Sequence, residues 1–342
     1  MNPEFPSARV SGFLARCGLS SFVPEPMAED CSTRRYTRIR AEDRTYVLME
    51  TDNPQEDIGQ FAAIAGVLRA AGLRVPQIFR AEVQEGLALV EDFGNDTFGK
   101  AMAAGTDPET LYLLATDALV RLHRNFRPDM LASIPHPVYD AGNFIRQVML
   151  FPEVVPAALG YSLSPAQTTG FEVAWRQVLP RAFRVPQSLM LRDFHAENLM
   201  LVPGTSGPDS CGFLDFELTG QGPVTYDLVS LLEDARRDVP PALALRMKDH
   251  WLHAFPHVDP VTFAESYSIL GAIRHTRIIA VFMRQSVTLG RDRYLPYLPR
   301  VWGQLENQLQ KEVLAPVRAW FDANIPTAWR REIPARKDRA LA

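Results

Sequence analysis

Hydrophobic and polar positions along this chain change period several times, and the changes mark its elements. Residues 7–20 carry apolar side chains at helical spacing, as an opening amphipathic helix does. Residues 36–40 and 45–49 read instead as two strands joined by the polar turn Glu42-Asp43-Arg44. The helical period returns over 55–71 and stops at Gly72. Residues 75–79 and 87–90 are again strand-like, with Glu85-Gly86 as the turn between them. Beta pairs with one intervening helix predict a small mixed lobe.

Glu91-Asp92-Phe93-Gly94-Asn95 reads as a hinge, and beyond it the pattern is mainly helical. Helices are predicted over 108–125, 140–150, 165–183, 225–236, 241–254, 261–288 and 297–322. Short apolar strands interrupt them near 189–192, 199–202 and 212–215, with a Pro/Gly/Ser-rich turn at 203–211 between the last two. The expected architecture is α+β: a small mixed N-terminal lobe over 1–92, a larger mostly helical lobe over 93–330, and a frayed charged tail over 331–342.

Composition narrows the class. Hydrophobic residues make up 46% and charged residues 22%, as in a globular protein with a sizeable core. The net charge of −4 leaves no basic excess for nucleic acid. Cys17, Cys31 and Cys211 are widely spaced and form no C-x-x-C pair, which speaks against a disulfide framework or zinc site. With no apolar run of membrane-spanning length and no signal-like N-terminus, a cytoplasmic protein is expected.

The chemistry concentrates in Leu191-Arg192-Asp193-Phe194-His195-Ala196-Glu197-Asn198 and Phe213-Leu214-Asp215-Phe216. An Asp, an Asn five residues later and a second Asp after an apolar strand are what magnesium-dependent phosphoryl transfer requires. The first Asp orients and deprotonates an attacking hydroxyl; the Asn and the second Asp offer hard oxygens to Mg²⁺ on the phosphates of ATP. The sequence contains no G-x-x-x-x-G-K-[ST] loop, no complete G-x-G-x-x-G, no H-E-x-x-H and no G-x-S-x-G. Gly220-Gln221-Gly222-Pro223 begins like a dinucleotide turn, but Pro223 and the lack of a third glycine spoil it.

The stretch from Leu189 to Asp234 resembles the aminoglycoside phosphotransferase family, which has the two-lobe protein-kinase fold. That resemblance implies Asp193 as catalytic base, Asn198 and Asp215 as magnesium ligands, and Asp227 and His195 as structural support. Three departures stand out. Leu191 occupies the position of a usual His. Asp30-Cys31-Ser32-Thr33-Arg34-Arg35-Tyr36 replaces a glycine-rich phosphate loop, leaving Ser32, Thr33, Arg34 and Arg35 to meet the nucleotide, with Glu91 and Phe93 of the hinge at its base. The lysine expected on the third strand is missing: Met49 falls there, and Lys occurs only at 100, 248, 311 and 337. An Arg from 34–38 would supply the charge, with Glu56 or Asp57 as its partner.

Ser32 to Arg38, Val47 to Glu50 and Gly222 to Leu232 also look like the branch of anomeric N-acetylmuramate and N-acetylglucosamine kinases of peptidoglycan recycling. The implied partners are ATP and an amino sugar, with no nucleic acid and no membrane. Arg274, Arg277 and Arg284 share one helical face within roughly 80° and would suit an acceptor carboxylate, with Glu217 also on the acceptor side. Snorkelling or internal ion pairing is the competing reading of those arginines. Two alternatives stay open: a kinase for an aminoglycoside, choline-like alcohol or other sugar, and a nucleotide-binding pseudokinase.

Overall fold

The computed structural model describes residues 6–27, 34–42, 44–53 and 55–331, so Ser32, Thr33 and the 332–342 tail lie outside it. The chain forms two compact units: Met1–His136 with Ala196–Thr219, and Pro137–His195 with Gly220–Ala342. It passes from the second unit into the first after His195 and returns after Thr219.

In the first unit the strands lie in the order Val23–Pro26, Arg34–Arg40, Thr45–Thr51, Leu87–Glu91, Ile78–Glu82. Every neighbouring pair is antiparallel. The helix Ala8–Arg16 buries Val10, Phe13 and Leu14 against Ile39, Leu48, Leu87 and Leu89 of this sheet. Each such side chain contributes about 1.5–3 kcal/mol when fully withdrawn from water. Val23–Pro26 escapes sequence analysis because it holds two prolines; its edge position tolerates residues that cannot donate to a ladder.

The strand expected at 75–79 is shifted to Ile78–Glu82, beyond Pro76. The helix expected over 55–71 begins with a π turn, Gln55–Gly59, and continues as Gln60–Ala70. Pro108–Asn125 matches its expected bounds, because Asp107 caps the amides of Glu109 and Thr110 and Pro108 opens the first turn. A short helix, Phe98–Ala103, was not anticipated; the Thr97 hydroxyl caps it at Lys100 N.

The returning segment is tied into this unit by backbone bonds, from Leu201 N to Asp96 O at 2.8 Å and from Phe213 N to Arg74 O at 2.8 Å. Gly212 must lack a side chain, since a Cβ there would lie 2.7 Å from both the Phe93 ring and Val202.

The second unit is built around the 30-residue helix Pro260–Leu289. Phe151, Phe171, Trp175, Trp302 and Phe321 fill the core beside it, mostly in edge-to-face pairs. The helix expected over 140–150 runs on as Ala141–Ala158 through Pro152 and Pro156. Burial of Phe151, Val155 and Pro156 offsets the lost backbone donors.

The single helix expected over 297–322 is two, Leu298–Leu309 and Ala315–Asn324, with Pro316 opening the second. Thr225–Leu232 stops short of 236, where Glu233 is taken up by His275 at 2.6 Å and Gln308 at 2.7 Å. Gln187–Met190 pairs with Gly220–Pro223, a strand hidden by its glycines. A Cβ on Gly220 would sit 2.1 Å from the Pro137 carbonyl oxygen, so close backbone approach accounts for that glycine. Among the described residues no helix is long and apolar enough to cross a membrane.

Candidate active site

Asn198 and Asp215 meet because a hairpin brings them together. Leu199–Leu201 pairs antiparallel with Cys211–Phe213, Leu199 opposite Phe213, and Leu214 N donates to Asn198 O at 2.9 Å. The two candidate residues therefore flank the same end of the ribbon. The Asn198 amide nitrogen lies 3.3 Å from Asp215 Oδ2, donating to it.

Asp215 adopts φ 58°, a left-handed conformation that Asp tolerates better than most residues. The next residue, Phe216, is buried and stacks on Phe61 with ring centroids 4.9 Å apart. That anchor fixes the turn.

An amide oxygen and a carboxylate are hard donors suited to Mg²⁺, which takes one or two protein oxygens and fills its octahedron with water and phosphate. No group of three or more His, Cys, Asp or Glu side chains among the described residues could cage a metal by itself. The donor set thus fits a magnesium shared with phosphates.

Arg34, the candidate for the charge of the missing lysine, lies in the same unit as Met49. Met49 is fully buried in the sheet. On the neighbouring strand Arg34 forms ion pairs with Asp57, at 3.3 Å, and with Glu217. Asp57 also accepts from the Thr51 hydroxyl. Burial, with Glu217 and Asp215 adding to it, pushes the Tyr36 hydroxyl up, while Arg34 opposes the shift. Arg34 therefore belongs to a cluster with Asp57, Glu217, Tyr36 and Asp215. Glu217, expected on the acceptor side, has Arg34 as its partner.

Arg35 pairs with Asp52 at the exposed surface. Arg38 grips Asp92 through two bonds of 2.6 and 3.0 Å and reaches the Gly94 carbonyl at 3.1 Å. Burial pushes Asp92 up, but Arg38 and the Gly94 amide outweigh it and hold the carboxyl below its usual range. The hinge is further braced where the Glu91 carboxylate meets Arg74, which lies 4.8 Å from the centre of the Phe93 ring.

Asp193 lies in the second unit, in a loop with its own strain. Arg192 has φ 72°; with Asp215 it completes the non-glycine residues of positive φ among those described. For an arginine this conformation costs roughly 1–2 kcal/mol. What holds it is Asp227, in the first turn of Thr225–Leu232. Its carboxylate accepts from Leu191 N at 2.7 Å and Arg192 N at 2.8 Å. Burial pushes Asp227 up to about 7 despite these donors.

His195 is buried and falls to about 4, by burial first and the nearby Arg236 second. Arg236 Nη1 lies 3.3 Å from its Nε2. Since arginine only donates, Nε2 accepts and the imidazole is neutral.

The arginine stripe divides. Arg274 is 4% exposed, and its guanidinium reaches back to the Glu233 carbonyl at the end of Thr225–Leu232. Arg277 is half-buried with Arg192, Tyr226, Asp193 and Arg274 around it, and Arg284 is exposed. Side chains at one helical angle thus meet different surroundings, a difference helical periodicity does not carry. Sequence reasoning also missed Tyr139, whose hydroxyl accepts from Arg192 at 3.3 Å; no motif marks it.

Residues 23–262 match the phosphotransferase enzyme family. The chain belongs to that family. The N-acetylmuramate/N-acetylglucosamine kinase of Caulobacter vibrioides is 30% identical, covering 95% of this chain and 98% of its own. The kinase of the same name from Neisseria meningitidis is 32% identical over 85% and 87%.

Solved structures share the kinase-like fold. A choline/ethanolamine kinase family protein from Mesorhizobium loti superposes with TM-score 0.60 at 15% identity, over 91% of this chain and 97% of its own. A GDP complex of an aminoglycoside 2'-phosphotransferase reaches 0.59 at 16% identity, over 91% and 96%. This member of the family is a phosphotransferase, with a five-stranded antiparallel sheet and a larger helical part.

Proposed function

We propose that this phosphotransferase transfers the γ-phosphoryl group of ATP to the anomeric hydroxyl of N-acetylmuramate and N-acetylglucosamine, in the cytoplasm, during peptidoglycan recycling. The observation carrying this reading is a relative with that substrate pair in its name, aligned over 95% of this chain. The chain keeps the Asp193, Asn198 and Asp215 set that such a transfer requires.

In this reading residues 1–92 form the nucleotide lobe and 93–330 the catalytic and acceptor lobe. Asp193 orients the sugar hydroxyl and takes its proton as the oxygen attacks phosphorus in line with the departing ADP oxygen. Asp227 fixes the backbone on which Asp193 stands, and neutral His195 packs behind it. A magnesium ion on Asn198 and Asp215 would neutralise phosphate charge. Arg34, anchored by Asp57 and Glu217, supplies the positive charge of the absent lysine. The role proposed for Ser32, Thr33 and Arg35 is to meet the phosphates, and that for backbone groups of Glu91 to Phe93 is to hold adenine.

A coupled ADP-release assay with ATP and Mg²⁺, over N-acetylmuramate, N-acetylglucosamine, neutral sugars, choline and aminoglycosides, tests the reading. Turnover is expected on the two amino sugars. Turnover confined to choline or an aminoglycoside overturns it, and no transfer to any acceptor favours a nucleotide-binding pseudokinase.

A further inference from the structure

The second unit holds a group of hydrogen-bond donors beside Asp193 that no described residue satisfies. The Arg192 Nε and the Tyr226 hydroxyl are both buried and bond to no described residue. Tyr226 is wholly buried, and hydroxyls placed so are normally paired. Arg277 makes no hydrogen bond or ion pair to any described residue, although it is half-buried among Arg192, Tyr226 and Asp193.

Two guanidinium groups near one another, each short of partners, make a region of positive potential. Asp193 offsets part of it, while two other acids nearby are committed elsewhere. Asp227 spends both carboxylate oxygens on the backbone amides of Leu191 and Arg192. Glu233 spends its own on His275 and Gln308. Burial pushes the Arg277 guanidinium down and Arg192 adds to that shift, with Tyr226 and Asp193 opposing it.

The backbone presenting Arg192 is rigid. Its amide is held by Asp227, its carbonyl accepts from Ser230 Oγ at 3.1 Å, and its side chain donates to Tyr139 with the guanidinium 5.7 Å from that ring centre. A fork held this firmly at φ 72° is placed for a planar, singly charged acceptor.

We propose that Arg192 and Arg277, assisted by the Tyr226 hydroxyl, form an anion subsite that takes the carboxylate of the phosphoryl acceptor. The inference rests on the amino-sugar reading and deepens it. N-acetylmuramate carries a lactyl carboxylate that N-acetylglucosamine lacks, and Asp193, which meets the acceptor hydroxyl, stands among these groups. Of the stripe read from sequence, only Arg277 serves this role. Arg274 is committed to Glu233, and Arg192 joins from the catalytic loop.

The same donors could instead grip the phosphoryl group in transit, and the test separates the two sources. With wild-type enzyme, kcat/KM is compared for N-acetylmuramate, its methyl ester and N-acetylglucosamine. The acid is expected to exceed its ester by about tenfold or more, the usual scale of a lost charged bond. Arg277→Ala and Arg192→Ala are expected to lower the preference for N-acetylmuramate over N-acetylglucosamine by a similar factor, with Arg277→Lys between them and wild type.

Equal use of acid and ester by the wild type, which needs no variant to fold, overturns the subsite alone. A fall in kcat equal for both sugars in Arg277→Ala assigns the arginine to the phosphoryl group and also overturns it. No transfer to either sugar overturns both the subsite and the amino-sugar reading.

Discussion

Arg34→Met tests how this kinase-like chain manages without its third-strand lysine. Methionine keeps an unbranched apolar stem and removes the guanidinium that pairs with two carboxylates. The pairs are well shielded: the side chain of Arg34 is 10% exposed, Asp57 12% and Glu217 19%. Removing one member of a buried ion pair costs about 3–5 kcal/mol, because the stranded charge keeps its desolvation penalty. The Thr51 hydroxyl remains on Asp57 and softens the loss there.

For 342 residues, an unfolding entropy of about 2.1 cal/mol/K per residue converts this cost to a fall in Tm of roughly 4–7 °C. A guanidinium serving the phosphates also predicts a KM for ATP raised by about tenfold or more, the scale of one charge-assisted bond. Thermal melts and steady-state kinetics read the two effects. Arg34→Met/Asp57→Asn should recover part of the lost stability, because the amide no longer needs a cation. A variant melting within a degree of wild type, with unchanged KM for ATP, would refute both the ion-pair account and the lysine replacement.

Four further outcomes follow from the geometry. Asp193→Ala should lower kcat by about a thousandfold with nucleotide binding near normal; near-wild-type turnover removes Asp193 from the role of base. Asp215→Ala should instead weaken binding of magnesium-nucleotide in titration calorimetry, and unchanged affinity would count against a metal at the hairpin end. Asp227 rises from 3.8 to about 7 in the folded chain, which holds that proton more tightly than the unfolded one. Its contribution is therefore fully present below about pH 4 and is lost as pH rises through 7; Asp227→Asn should flatten that slope in melts between pH 5 and 8, and an identical slope contradicts the assignment. Gly220→Ala drives a methyl into the Pro137 carbonyl oxygen and should cost at least about 1–3 kcal/mol, so an unchanged melting temperature would refute the close approach.

Helices with caps and long apolar faces were legible in the chain. Pro108–Asn125 carries its Asp107 cap and N1 proline in plain view, and Pro241–Ala254 appears at its expected bounds. Elements whose stability comes from neighbours were not. Val23–Pro26 and Gly220–Pro223 have poor strand composition and exist because a partner strand completes them. Ala141–Ala158 passes two prolines because its far turns are buried.

By itself the sequence determined the family, the order of alternating and helical segments, and the spacing from which Asp193, Asn198 and Asp215 are proposed, because spacing along the backbone is local and survives without coordinates. It also showed that the third-strand lysine was missing. Only the tertiary structure set Arg34 apart from its neighbours, pairing it with Asp57 and with Glu217, far along the chain. Only the structure, likewise, separated Arg274, spent on a helix end, from Arg277, left beside Asp193. The physical reason is the same in both cases. What a charged side chain does is fixed by the charges and donors around it, and those arrive from distant parts of the chain.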